Sequence, residues 1–155
     1  MSDARPLLLV EDSSSDVELT LAALDAHGLS RCVSVVRDAE AALAYLARHG
    51  GQPGQPSHLP AALVIDLKLP RVGGLQLLAQ IKADPRLRLL PVIMLTSSRE
   101  DADVRRCYEL GASAYVVKPV EFAAFAEALR RLALFWCDLN EPPPGALPRQ
   151  LEHRS

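Results

Sequence analysis

Acidic side chains at two places in this chain are set up for phosphoryl or metal chemistry. Glu11 and Asp12 follow the apolar run Leu7-Leu8-Leu9-Val10, and Asp66 follows Ala62-Leu63-Val64-Ile65. Each run is short and bounded, as a buried strand is. An open parallel sheet binds its ligands at the carboxyl ends of its strands. If the two strands are neighbours, three carboxylates converge there, and each pair at ~4 Å repels by roughly 4 kcal/mol at an effective dielectric of 20. A fold holds such a group only with a proton, a Lys or a metal ion among them. Thr96 and Lys118 close the next two apolar runs and add a hydroxyl and an ammonium. A metal-assisted phosphoryl site is the leading chemistry for that set.

Those residues need a scaffold of alternating strands and helices. Leu7–Val10 reads as a strand, and Ser15-Asp16-Val17-Glu18 has the capping-box form of a helix start, with Gly28 able to stop that helix after His27. Cys32–Arg37 is β-branched and strand-like, and Asp38 caps an Ala-rich helix through Ala47, closed by Gly50-Gly51. The segment Gly51–Pro60, with Pro53, Pro56 and Pro60, reads as a surface loop. Ala61–Leu67 is apolar on both faces, as a central parallel strand is, so Asp66 is an intruder in it. Pro70 and Gly73-Gly74 make a tight connection to a helix at Leu75–Ala83, ending at Asp84-Pro85. Pro91–Leu95 is the fourth strand, and Ser98-Arg99-Glu100-Asp101 opens the fourth helix, which Gly111 ends. Ala114–Val117 is the fifth strand, and Glu121–Leu139 is the last helix, stopped by Pro142-Pro143-Pro144.

Five such units predict an α/β fold with a parallel sheet covered on both faces. A flavodoxin-like strand order of 2-1-3-4-5 puts strands 1 and 3 side by side. Periodicity alone does not dictate that order; the converging acids recommend it.

With 155 residues the chain is one domain, read as residues 1–140 with a Pro-rich polar tail at 141–155. Its 49% hydrophobic and 23% charged residues are ordinary for a soluble protein, and a net charge of -2 offers no basic face to nucleic acid or anionic lipid. The N-terminus is too short for a signal peptide and no run nears ~20 apolar residues, so a cytoplasmic location away from membrane is expected. Cys32, Cys107 and Cys137 are odd in number and widely spaced, which predicts reduced structural thiols. His27, His49, His58 and His153 lack metal-ligand spacing, and no zinc site is expected.

From about Arg5 to Leu139 the chain resembles the receiver domain of two-component response regulators. The resemblance rests on Glu11-Asp12, Asp66, Thr96 and Lys118-Pro119 at successive strand ends, with 30 residues from Asp66 to Thr96 and 22 from Thr96 to Lys118. The segment from Asp66 to Gly74 looks like that family's phosphoacceptor loop. Each residue has a plainer reading alone. Asp66 could cap a turn, Glu11 and Asp12 could suit a helix N-terminus, and Thr96, Lys118 and Tyr115 could be ordinary strand-end or solvated residues. Their joint appearance in order favours the receiver.

What the resemblance implies is specific. Asp66 is the phosphoacceptor, taking a phosphoryl group from a phosphohistidine on a sensor histidine kinase and forming an acyl phosphate. Mg2+ is held by Asp12, Asp66 and the backbone carbonyl of Lys68, with Glu11 acting through water. The Thr96 hydroxyl and the Lys118 ammonium each engage a phosphoryl oxygen, small Ser97 leaves room, and a cis peptide before Pro119 aims Lys118 inward. Thr96 and Tyr115 form the switch that reshapes the surface of helix 4, strand 5 and helix 5. Lys68 and Ser98 flank the site where the family tunes water attack, and neither is a general base, so fast self-dephosphorylation is not expected.

The chain leaves no length for a second domain after the last helix, so its output is expected to be a protein contact. Phe135 and Trp136 either pack on the domain's own core or anchor a homodimer across helices 4 and 5, with the C-terminal extension reaching over the partner. The long loop before strand 3 and the Phe-Trp…Asn-Glu-Pro-Pro-Pro ending look like single-domain regulators that partner phytochrome-type histidine kinases. A phosphorelay intermediate or phosphate sink is an alternative within the same family, and a purely structural pseudo-receiver would lack the site residues. A haloacid-dehalogenase-type phosphatase needs an acid two residues after its nucleophile, where this chain has Lys68. An FMN-binding flavodoxin needs an anion-accepting loop where this chain has Glu11-Asp12.

Overall fold

The computed structural model describes residues 6–50 and 58–144. Five strands, β1 (Leu7–Val10), β2 (Val33–Val36), β3 (Ala62–Ile65), β4 (Val92–Thr96) and β5 (Ala114–Val117), alternate with five helices. The helices are α1 (Ser14–Ala26), α2 (Ala39–His49), α3 (Gly74–Ala83), α4 (Asp101–Glu109) and α5 (Phe122–Ala133). All strands pair in parallel in the order 2-1-3-4-5. The flavodoxin-like arrangement and the adjacency of strands 1 and 3 are therefore as the acids required.

The alternation of side chains along each strand builds two cores. Leu8, Val10, Leu63, Ile65, Val92 and Met94 pack with α2, α3 and α4 on one face. Leu7, Leu9, Ala62, Val64, Ile93 and Leu95 pack with α1 and α5 on the other. β1, β3 and β4 are buried on both faces, which explains their unbroken apolar sequence, whereas the edge strands β2 and β5 are half-buried. The two cores hold the strand ends, and hence the acids, in fixed register: Val10 lies opposite both Val36 and Ile65.

Local details depart from the sequence reading. The cap of α1 is Ser13, whose Oγ accepts from Asp16 N–H, two residues before the expected Ser15. α4 is entered at Glu100, which makes no side-chain cap, while Ser98 Oγ accepts from Glu100 N–H and donates to Asp103. α2 is capped by Asp38 as expected but runs on to His49. The last helix is α-helical only to Ala133, and Leu134–Leu139 forms a π-helical turn closed by Asn140 N–H on Phe135 O at 2.6 Å. Gly28 and Gly111 follow α1 and α4 at φ of +69° and +105°, the left-handed region that glycine enters without strain. The three cysteines are buried as thiols, none of them in a disulfide among the described residues.

Residues 51–57 of the Pro-rich loop and 145–155 of the tail lie outside the described residues. Pro143 and Pro144 sit against Leu59, Pro85, Arg86, Leu89 and Leu90 of the same chain, at the amino edge of the sheet. Among the described residues no helix is long and apolar enough to cross a membrane.

Candidate phosphoryl and cation site

Three backbone hydrogen bonds carry the sheet ladder past the strand ends and fix the site. Glu11 N–H donates to Val36 O (3.0 Å), Asp66 N–H to Val10 O (3.1 Å) and Lys118 N–H to Thr96 O (2.8 Å). Asp66 Oδ1 also accepts from Lys68 N–H at 3.2 Å, which leaves the Lys68 side chain pointing to solvent. The start of α3 must approach this loop closely. A Cβ on Gly74 would collide with the Asp66 carbonyl oxygen and stand 2.8 Å from Leu67 Cα, so only glycine fits there.

Glu11, Asp12 and Asp66 each offer a carboxylate oxygen, and these oxygens all lie within 4.8 Å of one another. Glu11 is 3% exposed and Asp66 13%. Lys118, 14% exposed, sends its Nζ to Glu11 Oε1 (2.9 Å), Asp16 Oδ2 (3.0 Å) and Asp66 Oδ2 (3.4 Å). Burial raises the pKa of Glu11, and the Asp66 charge adds to that, although the Lys118 hydrogen bond pulls the other way. Burial alone would depress Lys118, but the hydrogen bonds it donates to Glu11 and Asp16 and the charge of Asp66 outweigh it and drive its pKa upward. Three carboxylates thus face one ammonium, and Asp12 adds a fourth beside Glu11 and Asp66. The charge left over and the all-oxygen donor set suit a hard divalent cation such as Mg2+ or Mn2+.

The two switch candidates meet on the backbone of one residue, Ser98. Thr96 is 1% exposed, and its Oγ1 accepts from Ser98 N–H at 3.3 Å. The hydroxyl of half-buried Tyr115 donates to Ser98 O at 3.0 Å. Ser98 Oγ itself is held by Asp103 at 2.6 Å and is turned to α4. The peptide bond before Pro119 is trans, since no cis bond occurs among the described residues. The ladder bond of Lys118 and the reach of its side chain bring Nζ into the pocket without the expected cis geometry. Phe135 and Trp136 stand edge to face at 4.9 Å, with Trp136 packed partly on the α1–α5 core and Phe135 43% exposed.

Three residues of the site were not read from the sequence. Asp16 looks like a first-turn acid of α1, yet it binds Lys118; its position one helical turn beyond Asp12 was the available signal. Arg37 donates to Asp12 O (2.7 Å) and Ser14 Oγ (2.8 Å) and so holds the loop carrying Asp12. Arg71, non-glycine at φ +60°, binds Asp38 Oδ2 at 2.9 Å and ties the loop after Asp66 to the cap of α2.

A parallel sheet in this order, with these acids, hydroxyl and lysine at its carboxyl edge, defines a receiver. The model of the response regulator receiver domain matches residues 7–130, and the chain belongs to that family. It is 37% identical over 140 residues to the probable methanogenesis regulatory protein FilR2 of Methanothrix harundinacea, covering 90% of this chain and 88% of the relative. It is 33% identical over 132 residues to the response regulator Rcp1 of Synechocystis, covering 85% and 88%. The Mn(2+)-bound form of Rcp1 superposes with a TM-score of 0.75 at 32% identity, over 90% of this chain and 99% of that one. The bacteriophytochrome response regulator RtBRR is 52% identical with a TM-score of 0.66, over 92% and 86%.

Proposed function

We propose that this protein is a response regulator that takes a phosphoryl group onto Asp66 from a phosphohistidine of a phytochrome-type sensor histidine kinase in the cytoplasm. One observation carries the reading: Asp66 shares a pocket with Glu11 and Asp12, their oxygens within 4.8 Å, while Lys118 stands 3.4 Å away. The 52% identity to a bacteriophytochrome regulator supports the partner class.

An Asp66 carboxylate oxygen attacks phosphorus in line, forming a P–O bond as the P–N bond breaks. The electron pair of that bond returns to the imidazole, which leaves neutral with its proton on the other nitrogen. Asp12, Asp66 and the Lys68 carbonyl, with Glu11 through water, are the ligands we assign to Mg2+. The chemistry a bound Mg2+ supplies is neutralisation of charge between the carboxylate and phosphoryl oxygens. Lys118 pairs with one phosphoryl oxygen, and Thr96 donates its hydroxyl proton to another, a proton its bond from Ser98 N–H leaves available. That movement of Thr96 pulls on the backbone N–H of Ser98, the residue whose carbonyl holds Tyr115, and so passes the change to α4, β5 and α5. Two charge-assisted hydrogen bonds of roughly 1.5–3 kcal/mol each suffice to invert a modestly biased surface.

The output is a protein contact by the single domain of residues 1–140, with 141–155 as its tail. Phe122, Leu134, Phe135 and Leu139 expose apolar surface along α5 and the π turn, and a homodimer anchored at Phe135 and Trp136 uses that face. Transfer of radiolabelled phosphate from an autophosphorylated phytochrome-type kinase tests the partner. Wild type is expected to take the label and Asp66→Asn to take none; equal labelling of both overturns the assignment. Light scattering of Phe135→Ala tests the dimer, which the substitution should weaken.

A further inference from the structure

Asp16 has no place in the cation cluster, which is Glu11, Asp12 and Asp66, and it comes from a helix rather than a strand end. Its carboxylate nevertheless holds the same ammonium that faces the acceptor. The three contacts of Lys118 are unequal. Glu11 at 2.9 Å and Asp16 at 3.0 Å are within ordinary hydrogen-bond distance, whereas Asp66 at 3.4 Å lies beyond the usual range for N–H···O. Lys118 therefore rests away from the acceptor, shared between a buried acid and a helix acid.

We infer that Asp16 is a positioning residue that parks Lys118 in the resting protein and competes with the phosphoryl group for it. The inference rests on the reading of Asp66 as the phosphoacceptor. A phosphoryl group on Asp66 adds negative charge, and Lys118 has to leave one partner to meet it. Glu11, 3% exposed, would be stranded as a buried unpaired charge, while the side chain of Asp16, 37% exposed, can take water in place of the ammonium. Asp16 is the partner released at least cost. It restrains the attack step and sets how readily the switch engages, since a conformational equilibrium moves only by the difference in affinity of its two states. With acetyl phosphate as donor, the Asp66 oxygen forms the new P–O bond, the P–O bond to the acetyl group breaks, and acetate leaves with the electron pair.

The test is a double-mutant cycle on the full chain with acetyl phosphate at saturating Mg2+. Asp16→Asn keeps the shape of the side chain and removes its charge. Its phosphorylation rate is expected to rise about two- to fivefold, the scale of one partly exposed ion pair, and the rise should vanish on a Lys118→Ala background. The chain has three lysines, Lys68, Lys82 and Lys118, so selectively labelled lysine gives three resolvable side-chain NMR signals. The Lys118 signal of unphosphorylated Asp16→Asn should already lie partway toward its position in the phosphorylated wild type. A rate that is unchanged or lower in Asp16→Asn, or a rise of equal size with and without Lys118, overturns the inference. Uptake by wild type that Asp66→Asn abolishes, alongside either of those results, leaves the acceptor assignment standing. Absence of uptake by wild type removes both.

Discussion

Lys118 stands at the carboxyl edge of the sheet and Lys82 at the amino edge, and both are partly buried. Lys118 meets three carboxylates. Lys82, in the last turn of α3, meets backbone among the described residues: its Nζ donates to Arg88 O at 2.9 Å and Leu90 O at 2.6 Å, and its methylenes underlie Gly111. Burial lowers the pKa of Lys82, while acid partners reverse the same effect at Lys118. The amino edge uses a lysine as a staple, closing the connections that lead into β4 and β5. The carboxyl edge keeps its lysine amid excess negative charge, an arrangement that costs stability and leaves the site ready for a cation and a phosphoryl group.

The sharpest break in that comparison comes from Asp66→Asn. It should abolish phosphoryl uptake while leaving the fold intact and raising stability in chelator, because one of several mutually repelling acids is gone; circular dichroism and thermal melts check the second half. Lys118→Ala should still take up Mn2+ by titration but lose switching of the α4–β5–α5 surface. Its melting temperature should fall in EDTA and recover more on adding Mg2+ than that of wild type. Recovery no larger than in wild type would mean the ammonium is not the group balancing those acids. Lys82→Met keeps the packing under Gly111 and should cost about 1–3 kcal/mol from two carbonyls left without their donor, with phosphoryl uptake unaltered.

Alkaline pH separates the two lysines by sign, and this is the smallest effect. The pKa of Lys118 is raised on folding, so its contribution is full below the unfolded value of 10.5 and is lost as pH climbs above it. The pKa of Lys82 is lowered, so the folded protein releases that proton first and its contribution grows as pH rises toward 10.5. The stability difference between wild type and Lys82→Met should therefore increase as pH approaches 10.5 from below, while that between wild type and Lys118→Met stays flat. Parallel trends measured by urea unfolding in EDTA would refute the contrast.

Much of the fold was legible because its signals are local. An Asp inside the apolar run of β3, the Glu-Asp pair after β1 and the Gly73-Gly74 step each mark a strand end or a tight approach within a few residues. Asp16 was not legible as a partner of Lys118, since 102 residues separate them and a first-turn acid already has a helix-dipole explanation. Sequence spacing likewise carries no signal for the trans peptide at Pro119, the left-handed backbone of Arg71 or the π turn at Leu134–Leu139. These depend on which tertiary contacts are made. The span of the last helix, Glu121–Leu139, was anticipated as one helix, but not its change of type at Leu134–Leu139.

Intact mass after incubation with acetyl phosphate, with Mg2+ or with EDTA, tests the central claim most directly. Wild type should gain the mass of one phosphoryl group with Mg2+ and none in EDTA, and Asp66→Asn none in either. The same gain in EDTA, or in Asp66→Asn with Mg2+, would contradict a cation-dependent acceptor at the carboxyl edge of β3.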